Sequence, residues 1–142
     1  MITPEWLAGF FDGEGCLTIL RSKRYAHYTP QAIITNTSLE TLQAIQSFCG
    51  GTIHARGNPK CWNEAYSLVY SGTPETKRFL EIIRPFLILK KAEVEFFLSS
   101  WTDEINGRQN RRVSKDVIEA RERIKQELSA MKPRNNIPQI TN

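Results

Sequence analysis

The sequence predicts a single α+β domain in which helices cover one face of a four-stranded antiparallel sheet. Its 142 residues, of which 40% are apolar, are enough for one hydrophobic core and too few for two. Helical and strand-like patterns follow one another in the order helix, two strands, helix, two strands and further helices. Strands that lie in consecutive pairs between helices favour an antiparallel sheet with its helices on one side.

Capping residues and helix-breaking residues mark the predicted helix ends. Threonine followed by proline suits the N-cap and the first helical position, and serine is another common N-cap residue. The predicted helix starts are Thr3, Ser38, Thr73, Lys90 or Lys91, and Ser114. The predicted ends of the first three helices are at Gly13 and Gly15, at Gly50 and Gly51, and at Pro85.

Runs of apolar and β-branched residues predict the four strands. These runs cover residues 16–20, 31–35, 52–56 and 65–70. Residues 28–30 are predicted to separate the first two strands rather than to belong to either. With helices on one side only, the other face of the sheet remains free for solvent or a ligand.

Positive charge is concentrated in the predicted strand region. The net charge is only +4, but residues 1–14 carry three acidic and no basic residues, whereas residues 15–63 carry five basic residues and one acidic residue. Aromatic and histidine side chains are interleaved with these bases, a pattern that is typical of a nucleic-acid surface. An ordinary solvated basic face is the alternative when charge is considered alone.

Membrane, secretion and zinc signals are absent from the sequence. No stretch approaches the ~18 to 20 apolar residues that span a bilayer, and residues 1–5 do not resemble a signal peptide. We therefore expect a soluble protein that is intracellular, in a cytoplasm or an organelle matrix, with no membrane partner. Cys16, Cys49 and Cys61 form no C-x-x-C pair and are expected to be reduced thiols.

Residues 7–15, with the sequence LAGFFDGEG, closely resemble the signature nonapeptide of the LAGLIDADG homing endonucleases. The identical positions are Leu7, Ala8, Gly9, Asp12 and Gly15, and Glu14 occupies the final acidic position. Residues 34–42, 50–53 and 85–91 follow in the order and spacing of that family. The resemblance covers about residues 3–101. It leaves a helical extension at about 102–132 and a tail at 133–142, all within one domain of residues 1–142.

The resemblance implies both a fold and a function. The family's αββαββα fold has a saddle-shaped antiparallel sheet that lies in the major groove of DNA. The implied function is site-specific cleavage of both DNA strands by a homing endonuclease with an intron or intein origin. The alternative is a non-cleaving nucleic-acid binder on the same fold, such as an intron RNA-splicing maturase or a DNA-binding regulator.

The resemblance also implies catalytic and metal-binding residues. Phosphodiester hydrolysis uses a divalent metal, and carboxylate and carbonyl oxygens suit Mg²⁺. The Glu14 carboxylate and the Gly13 carbonyl correspond to the family's metal ligands; Mn²⁺ or Ca²⁺ can occupy the same site, and no small-molecule cofactor is expected. Lys90 corresponds to the basic residue near the scissile phosphate, with Lys91 as the alternative. Asp12 is expected to form hydrogen bonds at the helix end.

A single copy of the motif implies a homodimer. One motif supplies one catalytic carboxylate, whereas cutting both strands of a duplex requires two active centres or a repositioning step. Gly9 and Gly13 lie four residues apart on one helix face, where missing side chains let another helix approach closely. In the family, two such helices pack across a two-fold axis above a pseudo-palindromic site. The implied interface residues are Ala8, Gly9, Asp12 and Gly13.

The candidate DNA contacts are polar and basic residues of the strand region. Those of the first hairpin are Arg21, Ser22, Lys23, Arg24, Tyr25 and His27. Those of the remaining strands and turns are Gln31, Thr35, His54, Arg56, Lys60, Asn63 and Ser67. Strand alternation places residues 18, 20 and 22 on one face and 17, 19 and 21 on the other, and does not by itself select the face that reads bases.

Overall fold

The predicted strands form one four-stranded antiparallel sheet in the computed structural model, which describes residues 1–24, 27–57, 64–107 and 113–132. The strands are β1 (Gly15–Arg21), β2 (Tyr28–Asn36), β3 (Thr52–Arg56) and β4 (Ala65–Ser71). Their spatial order is β1-β2-β4-β3, and each neighbouring pair is antiparallel. The predicted α+β class is therefore confirmed.

Helices pack against one face of this sheet. Within the described residues they are α1 (Pro4–Glu14), α2 (Leu39–Cys49), α3 (Thr73–Ile83), α4 (Lys91–Ser100), α5 (Asp103–Asn106) and α6 (Lys115–Ala130), with a 3₁₀ turn at Arg84–Phe86. The four-residue helix α5 is not predicted from the sequence, because its polar residues show no apolar periodicity. None of the helices in the described ranges combines the length and the apolar character needed to cross a membrane.

Hydroxyl groups cap the helices largely as predicted. The side chains of Thr3, Ser38 and Ser114 accept hydrogen bonds from first-turn amides of α1, α2 and α6. The third helix differs, because Gly72 is its N-cap and Thr73 is its first helical residue. Gly72 has a φ angle of 91°, which glycine adopts at little cost. The Thr73 hydroxyl instead donates to Asn106 Oδ1 at 2.6 Å and so links α3 to α5.

Strand β2 begins at Tyr28, three residues earlier than predicted. Pro30 lies inside β2 although it has no N–H to donate. It is tolerated because the pairing of β2 with β4 begins only at Gln31, so Pro30 faces a neighbouring strand on one side alone. Its carbonyl oxygen accepts hydrogen bonds from the Gly72 amide at 2.9 Å and the Thr76 hydroxyl at 3.1 Å.

Alternating side chains divide the sheet into two faces, which we call inner and outer. The inner face is buried beneath the helices and includes Leu17, Ile19, Ala32, Ile34, Leu68 and Tyr70. The Phe79 ring of α3 stacks on the Tyr70 ring with centroids 4.1 Å apart and meets the Phe11 ring of α1 edge-on at 5.4 Å. These contacts hold α1 against the sheet, so the end of α1 has a fixed position beside β1.

Helix α6 belongs to the same hydrophobic core. Ile124 and Leu128 are buried in the cluster that also contains the inner face. Arg121, which is 4% exposed, donates hydrogen bonds to the carbonyl oxygens of Ile105 and Asn106, each at 2.6 Å. The predicted C-terminal extension is therefore packed onto the core and is tied to α5.

Candidate active site and nucleic-acid interface

The end of α1 carries the signature carboxylate. Glu14 is the last residue of α1 and is exposed, and Gly13 beside it is exposed as well. Gly15 leaves the helix in an extended conformation, and its amide donates to the Phe11 carbonyl. A Cβ at Gly15 would overlap the Phe11 ring, so glycine is required for the chain to pass directly from α1 into β1. This transition places Glu14 where the sheet begins.

Asp12 binds a distant loop rather than solvent. Its carboxylate oxygens accept hydrogen bonds from the backbone amides of Ile88 at 2.8 Å and Lys90 at 2.9 Å. Burial alone would raise the pKa of Asp12, but these amides and the charge of Lys90 outweigh it and hold the pKa below 3.8. Asp12 thus fastens the loop before α4 to the end of α1, which agrees with a hydrogen-bonding role at the helix end.

Lys90 lies at the same helix end as Glu14. Its Nζ donates to the Asp12 carbonyl oxygen at 2.6 Å and lies 6.0 Å from the centre of the Phe11 ring. A cation suits this position, because the C-terminus of a helix carries partial negative charge. Lys91, the alternative to Lys90, is exposed and begins α4. Of the two lysines, Lys90 is therefore the one whose ammonium group contacts the end of α1.

The donors at this helix end fit an open magnesium site. Within the described residues, no three side chains of the types His, Cys, Asp and Glu gather to form a closed metal site. Mg²⁺ does not require one, because it commonly retains several waters and binds one or two carboxylates together with substrate phosphate. The exposed Glu14 carboxylate and a carbonyl oxygen at the end of α1 are hard oxygen ligands of the required kind.

The outer face of the sheet brings together several of the predicted DNA contacts. Strand pairing aligns Thr35 with Ser67, and Ser67 with His54, across β2, β4 and β3. Gln31 and Arg56 lie on the same face, and the Gln31 amide donates to the Ser71 hydroxyl at 3.0 Å. In β1 the even-numbered residues share this face, because Leu17 and Ile19 are buried on the inner one. The register thus shows which face the helices of the described ranges leave uncovered.

Arg21 and Ser67 differ from the other predicted DNA contacts. Arg21 follows the inner-face alternation: its guanidinium lies 3.8 Å from the Glu122 carboxylate of α6 and 5.8 Å from the centre of the Tyr28 ring. Ser67 is on the outer face but has no exposed surface, and its hydroxyl is 2.9 Å from that of Thr35. The Arg21 side chain is 53% exposed, so its contact with DNA stays a prediction. The buried Ser67 hydroxyl is not available for direct contact in the single chain.

The remaining hairpin predictions divide between exposed residues and residues outside the described ranges. Ser22, Lys23, Arg24 and His27 are exposed, and the Ser22 amide donates to the His27 carbonyl at 2.9 Å. The predicted contacts that lie outside the described residues are Tyr25, Lys60 and Asn63.

The exposed side of α1 contains an apolar stripe of which only Gly9 and Gly13 are predicted from the sequence. Trp6 and Phe10 stack with ring centroids 4.9 Å apart, and Trp6 is 42% exposed. With Gly9 and Gly13 they occupy positions 6, 9, 10 and 13, the spacing of one helix face. That spacing is visible in the sequence and could have identified both aromatic residues. Ala8, by contrast, is fully buried in the core of the single chain and does not belong to this exposed stripe, so its place in a dimer interface stays a prediction without support from the stripe.

Glu122 of α6 joins the hairpin end of the sheet to the C-terminal extension. The Tyr28 hydroxyl donates to Glu122 Oε2 at 2.6 Å, and this hydrogen bond is the main reason that the pKa of Glu122 is lowered. Tyr28→Phe should therefore lower the free energy of unfolding at pH 7 by ~1 kcal/mol, measured by urea denaturation. The difference from wild type should shrink as the pH falls through the lowered pKa of Glu122, because the carboxylate is then protonated.

Tyr66→Phe is the matched control for this prediction. The Tyr66 hydroxyl also donates to a glutamate, Glu64, at 2.9 Å, but this pair is exposed. We expect little loss of stability in the control. An equal loss of stability in both variants would show that the hydrogen bond from Tyr28 to α6 contributes no more to the free energy of unfolding than the exposed one.

Comparison with known proteins identifies the family. The sequence model of the LAGLIDADG endonucleases matches residues 7–99, about two thirds of the chain. The chain belongs to the LAGLIDADG endonuclease family. Membership supports a site-specific DNA endonuclease and does not favour the alternative of a non-cleaving binder. No curated protein matches the chain significantly by sequence.

Solved LAGLIDADG structures share this fold. The homing endonuclease I-CvuI, in complex with the I-CreI target in the presence of Mg, matches with a TM-score of 0.73 and 22% identity over 91% of this chain and 81% of that one. The archaeal intron-encoded homing endonuclease I-Vdi141I, complexed with DNA, matches with a TM-score of 0.72 and 22% sequence identity over 92% of this chain and 84% of that one. The meganuclease I-CpaMI, bound to uncleaved DNA, matches with a TM-score of 0.67 and 23% sequence identity over 83% of this chain and 41% of that one.

Proposed function

We propose that this LAGLIDADG protein is one subunit of a homodimeric, Mg²⁺-dependent homing endonuclease that cuts both strands of a specific DNA site. The observation that carries the proposal is the arrangement at the end of α1. There an exposed Glu14 follows Asp12, whose carboxylate and carbonyl oxygens bind the amide and the ammonium group of Lys90. Membership of the LAGLIDADG endonuclease family supports the assignment of this arrangement to DNA cleavage.

Each residue at this helix end has a separate task in the proposed reaction. Glu14 and the Gly13 carbonyl would hold the metal, which supplies Lewis-acid stabilisation of the phosphate and an activated water. Lys90 presents its ammonium group at the helix end, where it can stabilise negative charge that develops on the phosphate. Asp12 positions Lys90 through its bonds to the loop before α4. The result is hydrolysis of the phosphodiester bond.

DNA is proposed to lie against the outer face of the sheet. Gln31, Thr35, His54 and Arg56 share this face, and the face begins next to Glu14. Their amide, hydroxyl, imidazole and guanidinium groups can bond to base edges and to phosphates. The exposed Lys23 and Arg24 at the hairpin end would add contacts to the DNA backbone. I-Vdi141I and I-CpaMI, which share this fold, are solved with DNA, and this supports DNA as the partner.

A second copy of the chain is proposed to cover the exposed stripe of α1. The stripe combines two stacked aromatic rings with Gly9 and Gly13, at which an added Cβ would meet no atom within 4 Å. Such a face lets a second helix approach closely while the aromatic rings lose contact with water. The match covers 81% of the I-CvuI chain but only 41% of the I-CpaMI chain. The longer I-CpaMI chain therefore has room for a second such fold, as expected if the working unit contains two.

Gly9→Leu should weaken self-association by at least about a hundredfold, because a leucine at the centre of a close helix contact holds the helices apart. The folded monomer should be preserved, since the side chain has space in the single chain and leucine favours helix over glycine. Sedimentation velocity over a range of protein concentrations measures the change. Ala44→Leu adds a similar side chain at an exposed site of α2 and should leave the dimer intact.

The proposed function is tested by selection for cleavage. The purified chain and Mg²⁺ are mixed with a pool of duplexes that carry randomised half-sites as inverted repeats, and the cut ends are sequenced. We expect one recurrent pseudo-palindromic site that is cut on both strands and is spared when EDTA is present. Enrichment of a bound site that neither Mg²⁺ nor Mn²⁺ causes to be cut would contradict the proposal.

A further inference from the structure

A cavity adjoins the candidate active site, and the proposed reaction does not yet account for it. Its volume is about 390 Å³, and it lies where the start of β1, the start of α4 and the end of α6 meet. Gly15, the residue after Glu14, lines it together with Cys16 of β1. Lys90, Glu93 of α4 and Lys132 after α6 also line it. Two cations and one carboxylate therefore share a space that opens beside the end of α1.

Glu93 is buried, and one of its two carboxylate oxygens has no hydrogen-bond partner among the described residues. It is 5% exposed, and within the described residues its Oε2 accepts no hydrogen bond. Burial raises the pKa of this carboxyl, which Lys132 and then Lys90 partly oppose. A carboxylate oxygen without a partner in this setting disfavours the folded state. A hydrophobic residue would fill the position at lower cost, so stability does not explain a glutamate here.

The two lysines that face Glu93 are bound elsewhere in the free protein. Lys90 Nζ donates to the Asp12 carbonyl at 2.6 Å, and Lys132 Nζ lies 3.2 Å from Cys16 Sγ. Among the described residues neither lysine has a carboxylate as its hydrogen-bond partner, although the charges of both lower the pKa of Glu93. The carboxylate and the two ammonium groups thus share the cavity without a direct hydrogen bond between them in the part of the chain that the structure describes.

We propose that Glu93 is a positioning residue, a buried counter-ion that holds the ammonium groups of Lys90 and Lys132 beside the end of α1 for the cleavage reaction. The inference deepens the proposed function and depends on the role of Lys90 there. Two ammonium groups that share a cavity repel each other, and a carboxylate in the same cavity offsets this repulsion and holds both groups in place. Phosphate at the end of α1 then meets cations that are already oriented.

Glu93→Gln removes the charge with little change in shape and tests the inference. We expect the variant to be more stable to urea than wild type at pH 8, because a buried unpartnered charge is removed. Single-turnover cleavage of the selected site should be slower by about tenfold or more, while affinity for the same DNA in Ca²⁺ changes less than about twofold. A purely structural glutamate would change stability and leave the cleavage rate as it is.

Glu95→Gln is the matched control on the same helix. Glu95 forms an ion pair with Arg84 at 2.7 Å and does not line the cavity, so its variant should cleave at the wild-type rate. Unchanged cleavage by Glu93→Gln, or an equal loss in both variants, would overturn the inference and leave the endonuclease proposal standing.

A second measurement does not depend on cleavage. The side-chain ammonium groups of Lys90 and Lys132 can be followed by ¹⁵N NMR in the free protein. Loss of the carboxylate should shift the ammonium signals of both lysines in Glu93→Gln relative to wild type, because both groups line the cavity that contains it. Absence of any change would overturn the inference even if the wild-type protein cut no DNA, whereas an inactive wild type alone would contradict only the proposed function.

Discussion

Glu14→Gln is expected to abolish DNA cleavage and to leave DNA binding intact. The substitution preserves the size of an exposed side chain at the end of α1 but removes the negative charge that would hold the metal. Loss of a metal-binding carboxylate removes stabilisation of the transition state, so the single-turnover rate in Mg²⁺ should fall by at least about a thousandfold. Binding is measured on the same duplex in Ca²⁺ and should remain within about threefold of wild type.

Glu5→Gln is the control for this prediction. Glu5 is also an exposed glutamate of α1, but it lies in the first turn, at the opposite end of the helix from the candidate site. Its variant should cleave normally. Cleavage by Glu14→Gln at the wild-type rate would remove Glu14 from the active site, whereas equal loss of binding and cleavage would indicate a damaged fold.

Asp12→Asn is expected to have the largest effect on stability. The Asp12 carboxylate accepts backbone hydrogen bonds at 2.8 and 2.9 Å, and asparagine would replace one accepting oxygen with an NH₂ group that faces an amide. The free energy of unfolding should fall by ~2 kcal/mol or more, measured by urea denaturation at fixed protein concentration. Cleavage should fall as well, because the loop that carries Lys90 is no longer fastened to α1.

The effect of Asp12→Asn should depend on pH in a defined direction. The pKa of Asp12 is held below 3.8 in the folded chain, so the carboxylate stabilises the fold above that value, and this contribution is lost as the pH falls through the lower folded pKa. The variant should therefore lose less stability than wild type on acidification below about pH 4. Asp103→Asn, at an exposed position of α5, should follow the wild-type curve. Parallel curves for Asp12→Asn and wild type would contradict the role given to the carboxylate.

Helix starts and strand order could be predicted because their signals are local. Thr3, Ser38 and Ser114 cap helices through amides within three residues of themselves. The structure differs from the predicted elements where a residue interacts with a partner far away in the sequence. Pro30 enters a strand because β4 stops short of it, and Thr73 gives up its capping role to bond with Asn106. Neither partner can be found from the residues on either side.

At the candidate DNA interface, too, local sequence patterns do not show which residues are exposed. Alternation in β1 predicts two faces, but only pairing and burial show that Leu17 and Ile19 are covered. Arg21 is predicted to contact DNA because it is basic and lies in a hairpin, and the structure adds a contact with Glu122 of α6 on the helix side. That contact spans about a hundred residues of sequence and therefore leaves no local signal.

The family, the helix that ends in Glu14 and the order of strands and helices around it can all be predicted from the amino-acid sequence. These depend on a contiguous motif and on caps and periodicities within a few residues. The folded chain alone shows how Asp12 fastens the Lys90 loop, which sheet face the described helices leave uncovered and that Glu93 is buried in a cavity with two lysines. Such features join segments far apart in the chain, and packing of the whole core, rather than any local preference, brings those segments together.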